Sequence, residues 1–150
     1  MIGKIISEEQ EKIIGQRNIY SEESQNSQTA KIEVSYSGTA NIKGIGNVSE
    51  TWTFVNTHKP NAIIQGKGYG TIITEDGNGI ATATELGRGN TLIKLNSTDE
   101  SLEKVVYPGA RFLSSETIGE MTFLNKIVGV TKWEVDTSTG NYKYKMWELK

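Results

Sequence analysis

The sequence predicts an all-β protein: one domain, residues 1–150, folded as an antiparallel barrel of eight or nine strands. Most of the chain alternates apolar and polar residues with period two, which is typical of strands with one solvated face. Glycine, asparagine and aspartate recur between these runs, where turns are expected. Because closing a meander into a barrel removes its exposed edges, a barrel is favoured over an open sheet.

The clearest element is a glycine-rich hairpin over Gln65–Asn90. Its turn is predicted at Asp76–Gly79, since asparagine and glycine accept the positive φ of hairpin loops. Centring the turn between Gly77 and Asn78 places Gly68 opposite Gly87. One face of the hairpin is then nearly bare backbone, with Gly66, Gly68, Gly70, Ala81, Ala83, Gly87 and Gly89. Glycine inside a strand indicates a sharp bend or a close approach.

Before this hairpin, the chain has a weakly alternating start and two clear strands. The start is predicted as a hairpin turning near Gln10-Glu11. A helix over Ser7–Ile14 is the alternative, because SEEQEKII combines a capping serine with good helix formers. Strands are predicted over Lys31–Lys43 and over Val48–Asn56, joined by a turn or bulge.

After the hairpin, the segment Thr91–Lys104 fits either a strand with a loop or a short capped helix. Three strands are predicted beyond it, over Val105–Ser115, Thr122–Asp136 and Tyr142–Leu149. In the second of these, alternation puts Trp133 on one face and Val128 and Val130 on the other. If Trp133 points inward, the valines form an outer apolar stripe, which is typical of a subunit interface.

Composition and charge give no indication of several classes of function. The formal charge is −2, with 16 basic and 18 acidic residues well mixed, so no nucleic-acid or membrane partner is predicted. The chain has no cysteine and one histidine, His58, so no metal site and no cofactor are predicted. The start lacks an apolar core of signal-peptide length and no stretch has the length of a membrane helix, so a soluble cytoplasmic protein is expected.

Charged residues interrupt several otherwise apolar strand faces. If these faces point into the barrel, the charges pair in the lumen or orient a polar group of a ligand, because an unpaired buried charge is costly. If they point outward, the charges are ordinary surface groups or intersubunit ion pairs. Together with two aromatic residues, they give the candidate ligand-binding residues Arg17, Glu50, Trp52, Tyr107, Arg111 and Glu148.

Several short motifs together resemble a known group of proteins. They are Gly66-x-Gly68-x-Gly70, Thr74-x-Asp76-Gly77, Gly87-x-Gly89, Leu124-Asn125, Val130, Val135-Asp136, Gly140 and the ending Trp147-Glu148-x-Lys150. This pattern is similar to small bacterial and archaeal barrels of unknown function that are related to allene oxide cyclase and dirigent proteins. The resemblance implies an eight-stranded calycin-like barrel that assembles into trimers or larger rings such as hexamers. It transfers no catalytic residue to this chain.

Three functions are compatible with these observations. The first is a homo-oligomeric barrel that binds a small apolar or amphipathic molecule in its lumen. The second is an isomerase or cyclase acting on a lipid-like intermediate, with Glu50 or Glu148 assisting. The third is a structural protein with a filled core. The volume of the lumen distinguishes the structural protein, whose lumen is filled, from the binding protein and the enzyme, whose lumens are open.

Overall fold

The computed structural model is a closed barrel of eight antiparallel strands in sequential order, which confirms the predicted fold class. The structure describes residues 2–19, 30–59, 63–90, 104–115, 121–136, 139 and 141–150. The strands are β1 Ile2–Ile19, β2 Ala30–Ile42, β3 Gly46–His58, β4 Ile63–Thr74, β5 Ile80–Asn90, β6 Lys104–Ser115, β7 Val128–Asp136 and β8 Asn141–Leu149. The segment Thr91–Lys104 was predicted as either a strand with a loop or a short helix. Only Lys104 of this segment lies within the described residues.

The glycines of β4 make room for large rings on β3. Gly68 is paired with Phe54 and Gly70 with Trp52. A Cβ atom at either glycine would collide with the ring of its partner, so only glycine lets these rings lie flat against the β4 backbone. The predicted close approach is therefore confirmed, and the glycine face is the inner face of the barrel.

The register of this hairpin differs from the predicted one by one residue on each strand. Gly68 pairs with Glu85 rather than with Gly87, and Gly66 pairs with Gly87. The Asp76 carboxylate accepts hydrogen bonds from the Thr74 hydroxyl (2.6 Å) and the Asn78 amide (2.9 Å), which shapes a longer loop than the predicted turn. The inner and outer faces are unchanged, and Glu85 lies opposite Gly68 instead of Gly70.

The predicted hairpin at the start of the chain is wrong, and so is the alternative helix. Residues 2–19 form one continuous strand that pairs with both β2 and β8. Its pairing with β8 shifts between Ile2 and Ile5 and again at Ile6, and its pairing with β2 shifts at Ile14, each time with an extra residue in β1. Between the bulges, Glu9 and Glu11 point into the barrel and are buried. After Ile14 the inward face changes from odd to even residues.

One end of the barrel is closed by apolar side chains. Residues 122–126, predicted as the start of a strand, instead form a short 3-10 helix, with β7 beginning at Val128. Met121 and Leu124 are buried against an apolar layer from the strands, formed by Ile6, Ile42, Val48, Ile72, Ala81, Leu113 and Met146. Within the described ranges, no helix has the length and apolar character needed to cross a membrane.

Candidate binding site in the barrel lumen

Arg111 lies at the centre of the lumen and is fully buried. It donates to the Glu9 carboxylate at 2.6 Å and 3.3 Å through its two terminal nitrogens. Its Nε donates to Glu85 Oε2 at 3.0 Å. A third carboxylate, Glu50, lies 3.7 Å from Nη1. The guanidinium of Arg111 on β6 thus lies close to three carboxylates, one each from β1, β3 and β5.

Two aromatic rings enclose the Arg111 guanidinium. Its Cζ atom lies 4.1 Å from the ring centre of Trp52 and 4.0 Å from that of Tyr144, so both faces are stacked. Burial acts to lower the pKa of Arg111, but the surrounding acidic groups, Glu9 first among them, outweigh burial and raise it well above its ordinary value. The guanidinium is therefore a permanent positive charge in the lumen.

Glu85 has a hydrogen-bond donor at both carboxylate oxygens. Besides Arg111, it accepts from the Thr131 hydroxyl at 2.8 Å and from the Trp133 indole N–H at 2.6 Å, both at Oε1. These three donors come from β6 and β7. They provide the compensation that an ionised carboxylate needs inside a protein.

The other buried carboxyl groups are less well compensated. Glu9 accepts from Ser7 as well as Arg111, and Glu50 accepts from the Trp52 indole N–H at 2.9 Å. Neither oxygen of Glu11 has a hydrogen-bond partner among the described residues. Burial, reinforced by the charge of Glu50, raises the pKa of Glu11 to about 8, against the opposing effect of Arg111. Burial also raises the pKa of Glu9 well above its ordinary value.

Above this charged cluster lies a layer of aromatic rings. Tyr36, Phe54, Trp133 and Tyr142 pack edge to face or tilted, with ring centres 4.5–6.0 Å apart. The Tyr36 hydroxyl donates to that of Tyr142 at 3.3 Å. Such edge-to-face packing fixes the rings relative to one another.

A cavity of about 180 Å³ opens on the other side of this aromatic layer, at the end of the barrel where β1 and β3 finish. We call it the mouth cavity. Ile13, Ile32, Val34 and the four rings supply its apolar wall, while Gln16, Asn56 and His58 supply polar groups, and Gly66, Gly87 and Glu85 complete the lining. Gly66 and Gly87 face each other on β4 and β5, so one side of the cavity is bare backbone. Burial lowers the pKa of His58, which favours its neutral form at pH 7.

The structure brings together three of the six predicted site residues. Glu50, Trp52 and Arg111 are buried in contact with one another, as part of the charged cluster and not of the mouth cavity. The expected inward placement of Arg17 is wrong: the bulge at Ile14 reverses the alternation, and the exposed Arg17 pairs with Glu33 at 2.8 Å. Glu148 is also partly exposed and lies 4.0 Å from Lys150, because β8 has reached the barrel end. The side chain of Tyr107 lies outside those that the structure describes.

Glu9, Glu11 and Glu85 are not among the site residues that the sequence predicts. Glu9 and Glu11 sit in the polar run Ser7-Glu8-Glu9-Gln10-Glu11, where both strand faces carry polar residues and apolar alternation gives no signal. Glu85 follows the small residues of the bare hairpin face, at Ala81 and Ala83. The charge of Glu85 on a face of small residues was the one indication in the sequence that this face borders a polar lumen.

Comparison with known proteins establishes the architecture only. No family model matches the chain, and no curated protein matches its sequence. A protein with unknown function from Clostridium acetobutylicum superposes with a TM-score of 0.76 at 8% identity, over 100% of this chain and 98% of that one. A conserved protein of unknown function from Rhodopseudomonas palustris superposes with a TM-score of 0.72 at 10% identity, over 98% of both chains. At such identities similarity shows the fold and not the function.

Proposed function

We propose that this β-barrel binds a compact amphipathic molecule in the mouth cavity, with its apolar body against the aromatic layer. The observation that carries the proposal is the open space at Gly87 in the cavity wall, where an added Cβ would meet only the Pro108 carbonyl. Gln16, Asn56 and neutral His58 provide hydrogen-bonding groups for the polar end of the molecule. A few polar groups in an apolar concave wall are characteristic of small-molecule sites.

The size of the cavity limits the ligand. Apolar cavities of about 150 Å³ hold a molecule the size of benzene, and the mouth cavity measures about 180 Å³ between described residues. A single substituted ring therefore fits in the described part of the lumen. A longer ligand would extend beyond the ends of β1 and β3.

The site supports binding better than acid–base catalysis. Glu85 is the only carboxyl group among the described residues that line the mouth cavity. Both of its oxygens already accept hydrogen bonds from Arg111, Thr131 or Trp133. A general base needs a free lone pair within reach of the substrate, so we propose a binding protein rather than an isomerase or cyclase.

Filling the bare side of the cavity tests this proposal. A Cβ at Gly87 would meet only the Pro108 carbonyl, at 3.6 Å, so Gly87→Val adds a side chain to the lumen without a backbone collision. We expect phenol and cyclohexanol, measured by isothermal titration calorimetry, to bind the wild-type protein and to bind Gly87→Val at least about tenfold more weakly, since the added methyl groups occupy their volume.

Gly15→Val is the matched control for that titration. Gly15 is exposed on β1, and a Cβ there meets only the Ser35 side chain, at 4.0 Å. This variant should bind both probes like the wild-type protein. Equal affinities in all three proteins, or no binding to the wild type, would contradict the proposed site.

We further propose that the protein is a homo-oligomer, with a trimer or hexamer as the expected assembly. The outer face of β4, β5 and β6 exposes Tyr69, Leu86 and Phe112, each at about half or more of its surface (59%, 48% and 47%). Thr84 pairs with both Tyr69 and Phe112, and Phe112 pairs with Val128, so these residues form one stripe. Exposed apolar stripes of this kind are typical of interfaces.

The relationship to allene oxide cyclase and dirigent barrels also stays a proposal. The closed eight-stranded meander and the inward glycine face of β4 and β5 support it. The order and spacing of the short motifs along the chain remain its main support.

A further inference from the structure

The charged cluster contains more negative than positive groups. Four carboxyl groups, those of Glu9, Glu11, Glu50 and Glu85, are at most 3% exposed, and Arg111 is the only buried cation among the described residues. Full ionisation would give these five groups a net charge of −3, four negative against one positive. A buried carboxyl group must be protonated, paired or coordinated to a metal, so this cluster has places for protons or for a further cation.

The shortage of positive charge is confined to one side of the cluster. Arg111 directs its hydrogen bonds to Glu9 and Glu85. Both oxygens of Glu11, which is only 2% exposed, and Oε1 of Glu50 have no partner among the described residues. The buried Tyr144 hydroxyl also lacks a partner among the described residues. Unpartnered oxygens in such number at one place are unusual in folded proteins.

These oxygens have a geometry that suits a metal ion. One carboxylate oxygen each from Glu9, Glu11 and Glu50 lies within 4.8 Å of the other two. Ca²⁺ binds oxygen at about 2.3–2.6 Å, so opposite ligands of one ion lie about 4.6–5.2 Å apart and adjacent ligands lie closer. Three carboxylates without nitrogen or sulfur donors are the ligand set of hard cations.

From these observations we propose that Glu9, Glu11 and Glu50 bind a hard divalent cation, of the Ca²⁺ or Mn²⁺ class, inside the barrel. The ion supplies partners to the free oxygens of Glu11 and Glu50 and cancels two of the three excess charges. Glu11 pairs across β1 and β8 with Tyr142, which lines the mouth cavity. The sequence predicted no metal site because the ligands come from two strands about forty residues apart and include no histidine or cysteine.

The test uses the whole chain, freed of bound metal with a chelator and titrated with Mn²⁺ under electron paramagnetic resonance and with Ca²⁺ under calorimetry. We expect about one Mn²⁺ per chain in the wild-type protein, and an unfolding temperature that rises with either ion, since an ion bound only to the native state stabilises it. Glu11→Gln keeps the shape of the side chain but removes a ligand charge, and should weaken binding at least about tenfold.

Glu8→Gln is the control, because Glu8 is the exposed neighbour on the same strand. It should bind both ions like the wild-type protein. Without metal, Glu11→Gln should unfold at no lower temperature than the wild type, since it replaces a buried carboxyl group whose oxygens have no partner among the described residues by a group that cannot ionise. If the wild type binds neither ion, or if Glu11→Gln and Glu50→Gln both bind them as well as the wild type, the proposal is overturned. Gly87→Val should keep the metal, which separates this site from the mouth cavity.

Discussion

Replacing Arg111 by methionine is expected to lower the free energy of unfolding by about 3–5 kcal/mol, because removing one partner of a buried ion pair leaves the other charges uncompensated. Here the loss exposes Glu9 and Glu85 to each other without the guanidinium that both bind. Methionine fills similar space between Trp52 and Tyr144, so the loss of charge dominates over a cavity. Urea denaturation followed by tryptophan fluorescence measures the change.

Two further variants keep this prediction testable if Arg111→Met does not fold. Arg111→Lys retains the charge but not the planar fork that binds Glu9 through two nitrogens, so we expect a smaller loss of stability. Arg17→Met removes the exposed arginine that pairs with Glu33, and it should leave the midpoint of urea denaturation nearly unchanged. Equal effects of Arg111→Met and Arg17→Met would show that the central ion pairs do not hold the barrel together.

Replacing Glu85 by glutamine is expected to lower the free energy of unfolding by about 1.5–3 kcal/mol, the range for hydrogen bonds to charged groups. A glutamine oxygen at the Oε1 position still accepts from Thr131 and Trp133. Its amide group would then face Arg111 Nε, 3.0 Å away in the wild type, donor to donor. Differential scanning calorimetry measures the loss.

Glu33→Gln is the matched control, since Glu33 is the partly exposed partner of Arg17. This variant should change the free energy of unfolding only slightly. In the double variant Glu85→Gln, Arg111→Met, the combined loss should be smaller than the sum of the two single losses, because the two residues share one interaction. Strict additivity would contradict the geometry of the cluster.

The parts of this protein that follow from the sequence are those with regular alternation. The alternation of side chains correctly grouped Glu50 with Trp52 on one face of β3, because this strand has no bulge, but it left open which face points inward. Arg17 was misplaced because the bulge at Ile14 changes the inward face, and a bulge leaves no clear trace in composition. The lumen residues Glu9 and Glu11 escaped notice because polar residues line the inside of this barrel as well as the outside, so hydrophobicity does not separate the faces.

The hairpin register illustrates a second limit. Shifting each strand by one residue in opposite directions leaves the inner face of β4 and β5 unchanged, so the alternation of side chains could not distinguish the two registers. The side chain of Asp76, which bonds to Thr74 and Asn78, decided between them. Only with this register does Gly87 face Gly66 and open the mouth cavity.

Native mass spectrometry of gently purified protein tests the central claim most directly, because one spectrum gives the number of chains and the mass of any retained small molecule. We expect a trimer or hexamer that carries an added organic mass in the wild type and in Gly15→Val, and that loses this mass in Gly87→Val. A single chain without added mass would contradict the proposed assembly and leave the binding site without support. An added mass unchanged in Gly87→Val would place the ligand elsewhere than in the mouth cavity.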